Sequence, residues 1–339
     1  DIAARYGDDR RTRIVEAAET LEKEDLIEDK PMLVSLTASN YIKRIDLDAY
    51  RNQRRGGRGV IGMATKEDDG VERVFAASMH DHLLCFTDRG RVYWLKVYDL
   101  PEGQRTGRGK ALVNLLPLAG DERVTAVIPV REFQPDRYLF FATRGGTVAK
   151  VALDEFSHPR QTGINAIKLR DGDALVDVNM TDGNQELILT TRLGQSLRFR
   201  EDSVRPVHRN AMGVRGIRLR NGDALQSVTV VEGDHLLTIT EQGFGKRTEF
   251  DEFRGHSRGT LGVRNIVVDA RGGGVVGSMA VYENDEIIVM SASGIVIRTK
   301  VSEISIQKRG TRGVRIMRLD DGDRVVGFTI LNSEDRDEE

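Results

Sequence analysis

The chain has 339 residues, 39% apolar and 31% charged, a length for two or three ordinary domains or for one repeat array. One cysteine, Cys85, and six scattered histidines exclude a disulfide framework and argue against structural zinc. No apolar run approaches the roughly 18 residues that span a bilayer and no signal-peptide pattern opens the chain, so we expect a reducing, cytoplasmic setting with no membrane contact. The net charge of −2 conceals a division, because residues 1–30 hold ten acids against six bases and residues 334–339 five acids against one, leaving a basic middle.

Within residues 1–30, Ile14, Ala17, Ala18, Leu21 and Leu26 recur at helical spacing and stop before Pro31, which predicts a short N-terminal helix serving as a linker. From Leu33 the chain repeats itself. An apolar run meets Thr/Ser-x-x-Gly and then, usually four positions on, a base: Thr37 to Asn40 and Arg44, Thr143 to Gly146 and Lys150, Thr191 to Gly194 and Arg198, Thr240 to Gly243 and Arg247, Ser291 to Gly294 and Arg298. In the second copy, Thr87 to Gly90, the base is replaced by Trp94. A second glycine keeps the same phase at 59, 109, 163, 213, 262 and 313, and a Gly-Asp turn follows it at 120, 172, 222 and 322. The period is about 50 residues with four short strands per copy, the size of a propeller blade. The fold class is therefore all-β and six-bladed, over residues 31–333, with an acidic tail at 334–339. The continuous apolar runs such as Leu83–Phe86 and Leu139–Ala142 read as strands buried on both faces, hence as the inner strands.

Candidate binding residues fall in three sets. The heptad Gln53, Arg54, Arg55, Gly56, Gly57, Arg58, Gly59 packs three guanidinium forks among three glycines and holds no nucleophile or carboxylate, which suits phosphate capture and no bond-breaking chemistry. The in-phase bases of the second strands, Arg44 with Lys43 beside it, Lys150, Arg198, Arg247 and Arg298, would form a ring of positive charge in a radial array, or else a strand face whose bases pair with local acids. Weaker versions of the heptad supply Arg105, Arg108, Lys110, Arg209, Arg215, Arg258, Arg264, Lys308, Arg309 and Arg312, whereas Phe156–Gly163 is poor in bases. Two G-x-G-x-x-G matches, from Gly57 and from Gly272, open no helix in a βαβ unit and carry no nucleotide site. A propeller that binds proteins is the rival reading. It predicts an apolar or mixed face in place of in-phase bases.

The intact heptad in the first of six such copies, with an acidic end, resembles the signature box of the C-terminal domain of the DNA gyrase A protein, over essentially the whole chain. Topoisomerase IV has a related domain whose box is degenerate. The resemblance implies a β-pinwheel, a propeller whose blades exchange strands, that wraps double-stranded DNA about a basic perimeter and presents a positive crossover for ATP-driven negative supercoiling. It also implies an assembly with the gyrase A core and gyrase B (an A2B2 heterotetramer), no cofactor in this domain, ATP and Mg2+ used elsewhere in the complex, and the catalytic tyrosine outside this chain. The setting it implies is the cytoplasm, at the nucleoid.

Overall fold

The computed structural model describes residues 23–37, 39–46, 71–103, 109–293 and 295–331. The heptad Gln53–Gly59, Arg105, Arg108, most of the expected N-terminal helix and the acidic tail lie outside the described residues. Of the lead-in, Lys23–Leu26 forms a single 3-10 turn.

Six antiparallel sheets follow one another. The first strand of each copy (Pro31–Thr37, His82–Thr87, Tyr138–Thr143, Glu186–Thr191, His235–Thr240, Glu286–Ser291) pairs with a second strand (Tyr41–Asp46, Arg91–Lys96, Thr147–Ala152, Gln195–Arg200, Phe244–Glu249, Val296–Lys300). The hairpin between them is written in the first marker. In the third copy the Thr143 carbonyl accepts the Gly146 N–H at 2.9 Å, and the Thr143 hydroxyl accepts the Thr147 N–H at 3.2 Å. The turn needs positive φ, which Gly146 adopts at 80° and which Asn40 supplies at 59° in the first copy. The Gly-Asp turn closes over this hairpin, because Asp173 accepts the Gly145 N–H at 2.8 Å and the Thr143 hydroxyl at 2.6 Å. Asp223 and Asp323 accept the Leu193 and Ser293 N–H groups in the same way.

A third strand of each copy (Val71–Ser78, Val124–Val130, Leu175–Thr181, Leu225–Val230, Val275–Val281, Val325–Leu331) lies on the other side of the first strand and next to the axis. The last of these packs against the one at Val71–Ser78, so the sixth blade meets the first. The apolar runs are therefore not the innermost strands, as their continuous burial suggested. They are central strands, covered on both faces by neighbouring blades. The axial strands stand around a channel of about 560 Å³, and neighbouring ones are joined where Asn179 Nδ2 donates to the Val228 carbonyl at 3.1 Å and the Thr229 hydroxyl to the Ser278 carbonyl at 2.9 Å.

In five of the sheets a fourth, borrowed strand completes the blade. Lys110–Ala111 pairs on blade one, Ile164–Asn165 on blade two, Val214–Arg215 on blade three, Val263–Arg264 on blade four and Val314–Arg315 on blade five, each belonging to the following copy. Among the described residues the sixth sheet has three strands. This borrowing accounts for the second glycine marker. A Cβ on Gly213 would lie 2.1 Å from the Val148 carbonyl oxygen, on Gly262 2.4 Å from that of Ser196, and on Gly313 2.3 Å from that of Gly245, so the incoming rim strand crosses its neighbour where no side chain fits.

Gly262→Ala, at φ 68° and facing that carbonyl, is expected to cost about 2–5 kcal/mol from strain at positive φ together with overpacking. Gly222→Ala, at φ 74° with nothing within 4 Å of the added carbon, should cost only about 1–2 kcal/mol. Urea unfolding midpoints of the two variants measure the difference; equal shifts would refute the crowding argument.

Candidate nucleic-acid interface

The in-phase bases of the second strands do not form an exposed ring. In all but the last blade, the side chain at this position spans the seam to the next blade and donates to carbonyls at the 3-10 turn there (Val97–Asp99, Leu153–Phe156, Glu201–Ser203, Phe250–Glu252, Val301–Glu303). Arg44 Nη1 donates to the Val97 and Tyr98 carbonyls at 3.1 and 2.6 Å, Lys150 Nζ to that of Glu201 at 3.2 Å, and Arg198 Nη1 to that of Phe250 at 2.8 Å. Arg247 Nε donates to the Ile304 carbonyl at 2.6 Å. Trp94 takes the same place in blade two, its Nε1 donating to the Phe156 carbonyl at 2.9 Å. Short 3-10 turns leave carbonyls without an internal partner, and a long N–H donor from the neighbouring blade supplies one. Arg298, in the last blade, pairs with Glu286 and is exposed. The sequence placed Lys43, Arg44, Lys150, Arg198 and Arg247 on a charged surface; carbonyl pairing makes the last four seam residues, with acids joining them there, and Lys43 is buried. Arg198 and Arg247 pair with Glu186 and Glu283, and Arg44 lies 3.6 Å from Glu102.

Blade three carries an ion pair in this seam. Lys150 Nζ lies 3.4 Å from Glu201 Oε1, with side chains 4% and 0% exposed. Glu201 is otherwise satisfied, accepting the Thr181 hydroxyl at 2.9 Å and the Gln185 N–H at 3.2 Å. Lys43 and Lys246, at matching positions of blades one and five, are fully buried, and burial lowers each ammonium to about 8. For Lys246 the nearby Arg309 lowers it further and Glu252 opposes. Lys246 Nζ donates to the Asn265 and Lys308 carbonyls at 2.8 and 2.7 Å and to the Thr311 hydroxyl at 3.1 Å, pinning the loop that leads to the rim strand Val314–Arg315.

The loops before the rim strands divide. Arg209, Arg258 and Arg309, each four residues before its marker glycine, dock on the preceding copy. Arg209 meets Glu155 at 3.7 Å, Arg258 Nε donates to the Ser203 carbonyl at 3.0 Å, and Arg309 Nη1 donates to that of Arg264 at 3.3 Å. Arg312 pairs with Asp269. By contrast Lys110, Lys308, Arg215 and Arg264 are exposed. So is Arg315, which the sequence reading passed over although it follows Val314 as Arg215 follows Val214; its guanidinium lies 5.2 Å from the centroid of the Phe244 ring. Lys168, Arg170, Arg218, Arg220 and Arg318, in the segments just after the rim strands, are also exposed, pair with no described acid and were missed. Their signal was the recurrence Ile-Lys-Leu-Arg, Ile-Arg-Leu-Arg, Met-Arg-Leu-Asp ahead of the Gly-Asp turn. Asn165 stands where Arg215 does, so the base-poor third copy leaves blade two without an arginine at that position. Among the described residues no three His, Cys, Asp or Glu side chains gather as a metal site, and no helix is long and apolar enough to cross a membrane.

Lys150→Met would leave the Glu201 carboxylate buried without its cation and is expected to cost about 3–5 kcal/mol, whereas adding Glu201→Gln should restore most of it. Chemical unfolding measures both, and an unaltered salt slope of DNA binding in the double variant would separate a seam residue from a phosphate contact. For Lys246 the folded pKa lies below the unfolded one, so the unfolded chain binds more protons between about 8 and 10.5. The stability deficit relative to Lys246→Met is therefore complete below about pH 8 and shrinks as pH rises toward 10, which unfolding at a series of pH values would register.

Six successive segments, residues 31–78, 81–131, 137–182, 185–232, 234–281 and 285–332, match the family described as "DNA gyrase C-terminal domain, beta-propeller". The DNA gyrase A protein of Salmonella typhimurium is 44% identical over 339 residues, which is 100% of this chain and 39% of that protein. The chain thus spans about two-fifths of the length of the curated relatives it matches. A solved DNA gyrase A C-terminal domain superposes with a TM-score of 0.75 at 26% identity over 89% of this chain and 100% of the other. A topoisomerase IV C-terminal domain does so with a TM-score of 0.74 at 27% identity over 91% and 95%. The copy boundaries read from the glycine phase, the borrowed rim strands and these matches agree, and the chain belongs to the family of DNA gyrase A C-terminal domains.

Proposed function

We propose that this chain binds double-stranded DNA without sequence preference and bends it around the outer rim of the ring, within a gyrase that introduces negative supercoils at the expense of ATP. The observation that carries this reading is the exposed series Arg215, Arg264 and Arg315, one per blade at the same register of the borrowed strand, with Lys110 exposed on the borrowed strand of blade one and Lys308 in the loop before that of blade five. Equal register in a radial array means equal height, so these guanidinium groups follow one another along an arc. Phosphates of a duplex present charge at similarly regular intervals, and contacts of this kind position DNA without reading bases. Arginine forks suit the task better than ammonium groups.

The heptad Gln53–Gly59 belongs to this reading as the densest phosphate-facing segment in the sequence, placed to pin one end of the path. Its intact form favours gyrase over topoisomerase IV. Smoothly bending 20–30 bp by 40–90° costs on the order of 1–6 kcal/mol, so a path of well-separated single arginines needs a strong terminal hold. Strand passage, the catalytic tyrosine, ATP and Mg2+ are assigned to the gyrase A core and gyrase B of an A2B2 assembly, and this domain to DNA geometry alone.

Replacing Arg215, Arg264 and Arg315 with Ala should flatten the dependence of log K on log salt by about 2.7, at roughly 0.9 per phosphate contact. Arg54→Ala with Arg55→Ala and Arg58→Ala should keep much of the low-salt affinity yet lose the linking-number change trapped when a nicked circle is ligated on the protein. Fluorescence anisotropy across salt and gel analysis of the ligated circles give the two readouts. Affinity indifferent to salt would refute the proposal.

A further inference from the structure

The two ends of the ring differ in charge. The hairpins of the first marker and the crossings from rim to axial strand (residues 112–123, 166–174, 216–224, 265–274 and 316–324) all emerge at one end, since a rim strand runs antiparallel to the second strand beside it and the axial strand antiparallel to the first. Exposed bases crowd this turn end, among them Arg144, Lys168, Arg170, Arg218, Arg220 and Arg318, while the only exposed acids of these segments among the described residues are Asp121, Asp171, Asp320 and Asp321. The 3-10 turns and the connections 131–137, 182–185, 231–234 and 282–285 emerge at the opposite end. There Asp154, Asp182, Glu232, Asp234, Asp251 and Glu303 are exposed. Exposed bases at this end are fewer among the described residues, chiefly Arg131, Arg137, Arg200, Arg205, Arg254 and Lys300. Two of them are already engaged, Arg131 by Asp29 and Arg200 by Asp202.

The rim arginines sit off-centre in the direction of the turn end. Arg215 is paired with Thr147, Arg264 with Gln195 and Arg315 with Phe244, in each case the first residue of the second strand, next to the hairpin. The bases of the following crossing lie only a few residues further on.

We infer that the duplex is held to the turn-end edge of the rim, gripped by Arg215, Arg264 and Arg315 together with Lys168, Arg218 and Arg318, and excluded from the 3-10 end by its carboxylates. This rests on the DNA-binding reading above and adds to it a side. A polyanion drifting toward the 3-10 end leaves its counter-charges and meets like charge within a screening length of about 10 Å at 0.1 M salt. The carboxylates thus act as positioning residues, confining a path that a uniformly basic rim would leave free to slip across its whole height. They also give the bend a fixed tilt relative to the ring.

Cys85 is buried and its thiol is pushed up to about 12 by burial, so an iron chelate can be tethered selectively to an introduced cysteine. Asn221→Cys places the chelate at the turn end and Ser203→Cys at the 3-10 end, both exposed and both in the fourth copy. With the 339-residue chain saturated with a random-sequence 150 bp duplex, hydroxyl-radical cleavage is expected from the Asn221 site and at least tenfold less from the Ser203 site. Combining Glu232→Lys, Asp251→Lys and Glu303→Lys with Ser203→Cys should raise cleavage from the 3-10 end. Equal cleavage from both ends on bound DNA, or no response to the three lysines, overturns the sidedness while leaving DNA binding intact. Absence of a retarded complex at low salt would instead overturn the DNA-binding reading, and the sidedness with it.

Discussion

The ring depends on what bridges each blade to the next. A four-stranded blade buries both faces of its central strand only when a neighbour stands on each side, and the 3-10 turn at the end of every second strand presents carbonyls to that neighbour. Arg44, Trp94, Lys150, Arg198 and Arg247 answer those carbonyls in five successive seams. Leaving such a buried acceptor unpaired costs about 1–3 kcal/mol, so the donor sets the spacing of adjacent blades as well as their attraction. An indole does the work of a guanidinium in one seam, which shows that a long N–H donor is required there and a charge is not.

This also marks the limit of the sequence. A base recurring every 50 residues fixes a structural position, yet periodicity gives no direction, and seam and surface have the same period. The informative residue was the exception. Trp94 has no place in a ring of phosphate contacts and fits a seam donor well, while Lys246 and its neighbour Arg247 cannot both be buried on a strand with one wet face; they are buried together, at 0% and 4% exposure, because a blade stands on each side of that strand. Blade number, hairpins and turn caps were legible because local chemistry dictates them: threonine hydroxyls, positive φ and the aspartate after glycine. Strand order was not, since continuous burial describes a central strand and an innermost one equally, and only the packing of the axial strands on one another decides between them.

Of the candidate surface, most exposed members sit where the sequence signal is weak, and Arg315 was passed over altogether. Arg215, Arg264 and Arg315 occupy two-residue strands that no propensity argument would assign, and they are exposed because the borrowed strand is the last in its sheet. The strongest signal, a base in five of six copies, was structural in four of them, Arg298 of the last blade being exposed. Recurrence in a repeat protein therefore reports first on how copies join.

The borrowed rim strands make the sequence copy and the folded blade different units. A stretch of about 50 residues starting at a first strand contains most of one blade and the edge of the one before it. Adding or losing such a stretch changes the number of blades without leaving an unfinished sheet inside the ring, because every internal seam still receives its outer strand from whichever copy comes next. Ring size is then open to change by duplication at no cost in local fit, while a break inside a copy strands an edge on a blade that was not cut. The same interlock spreads outward force: a load applied at one rim strand is borne by the sheet that hosts it and by the copy that owns it, so adjacent blades yield together or not at all.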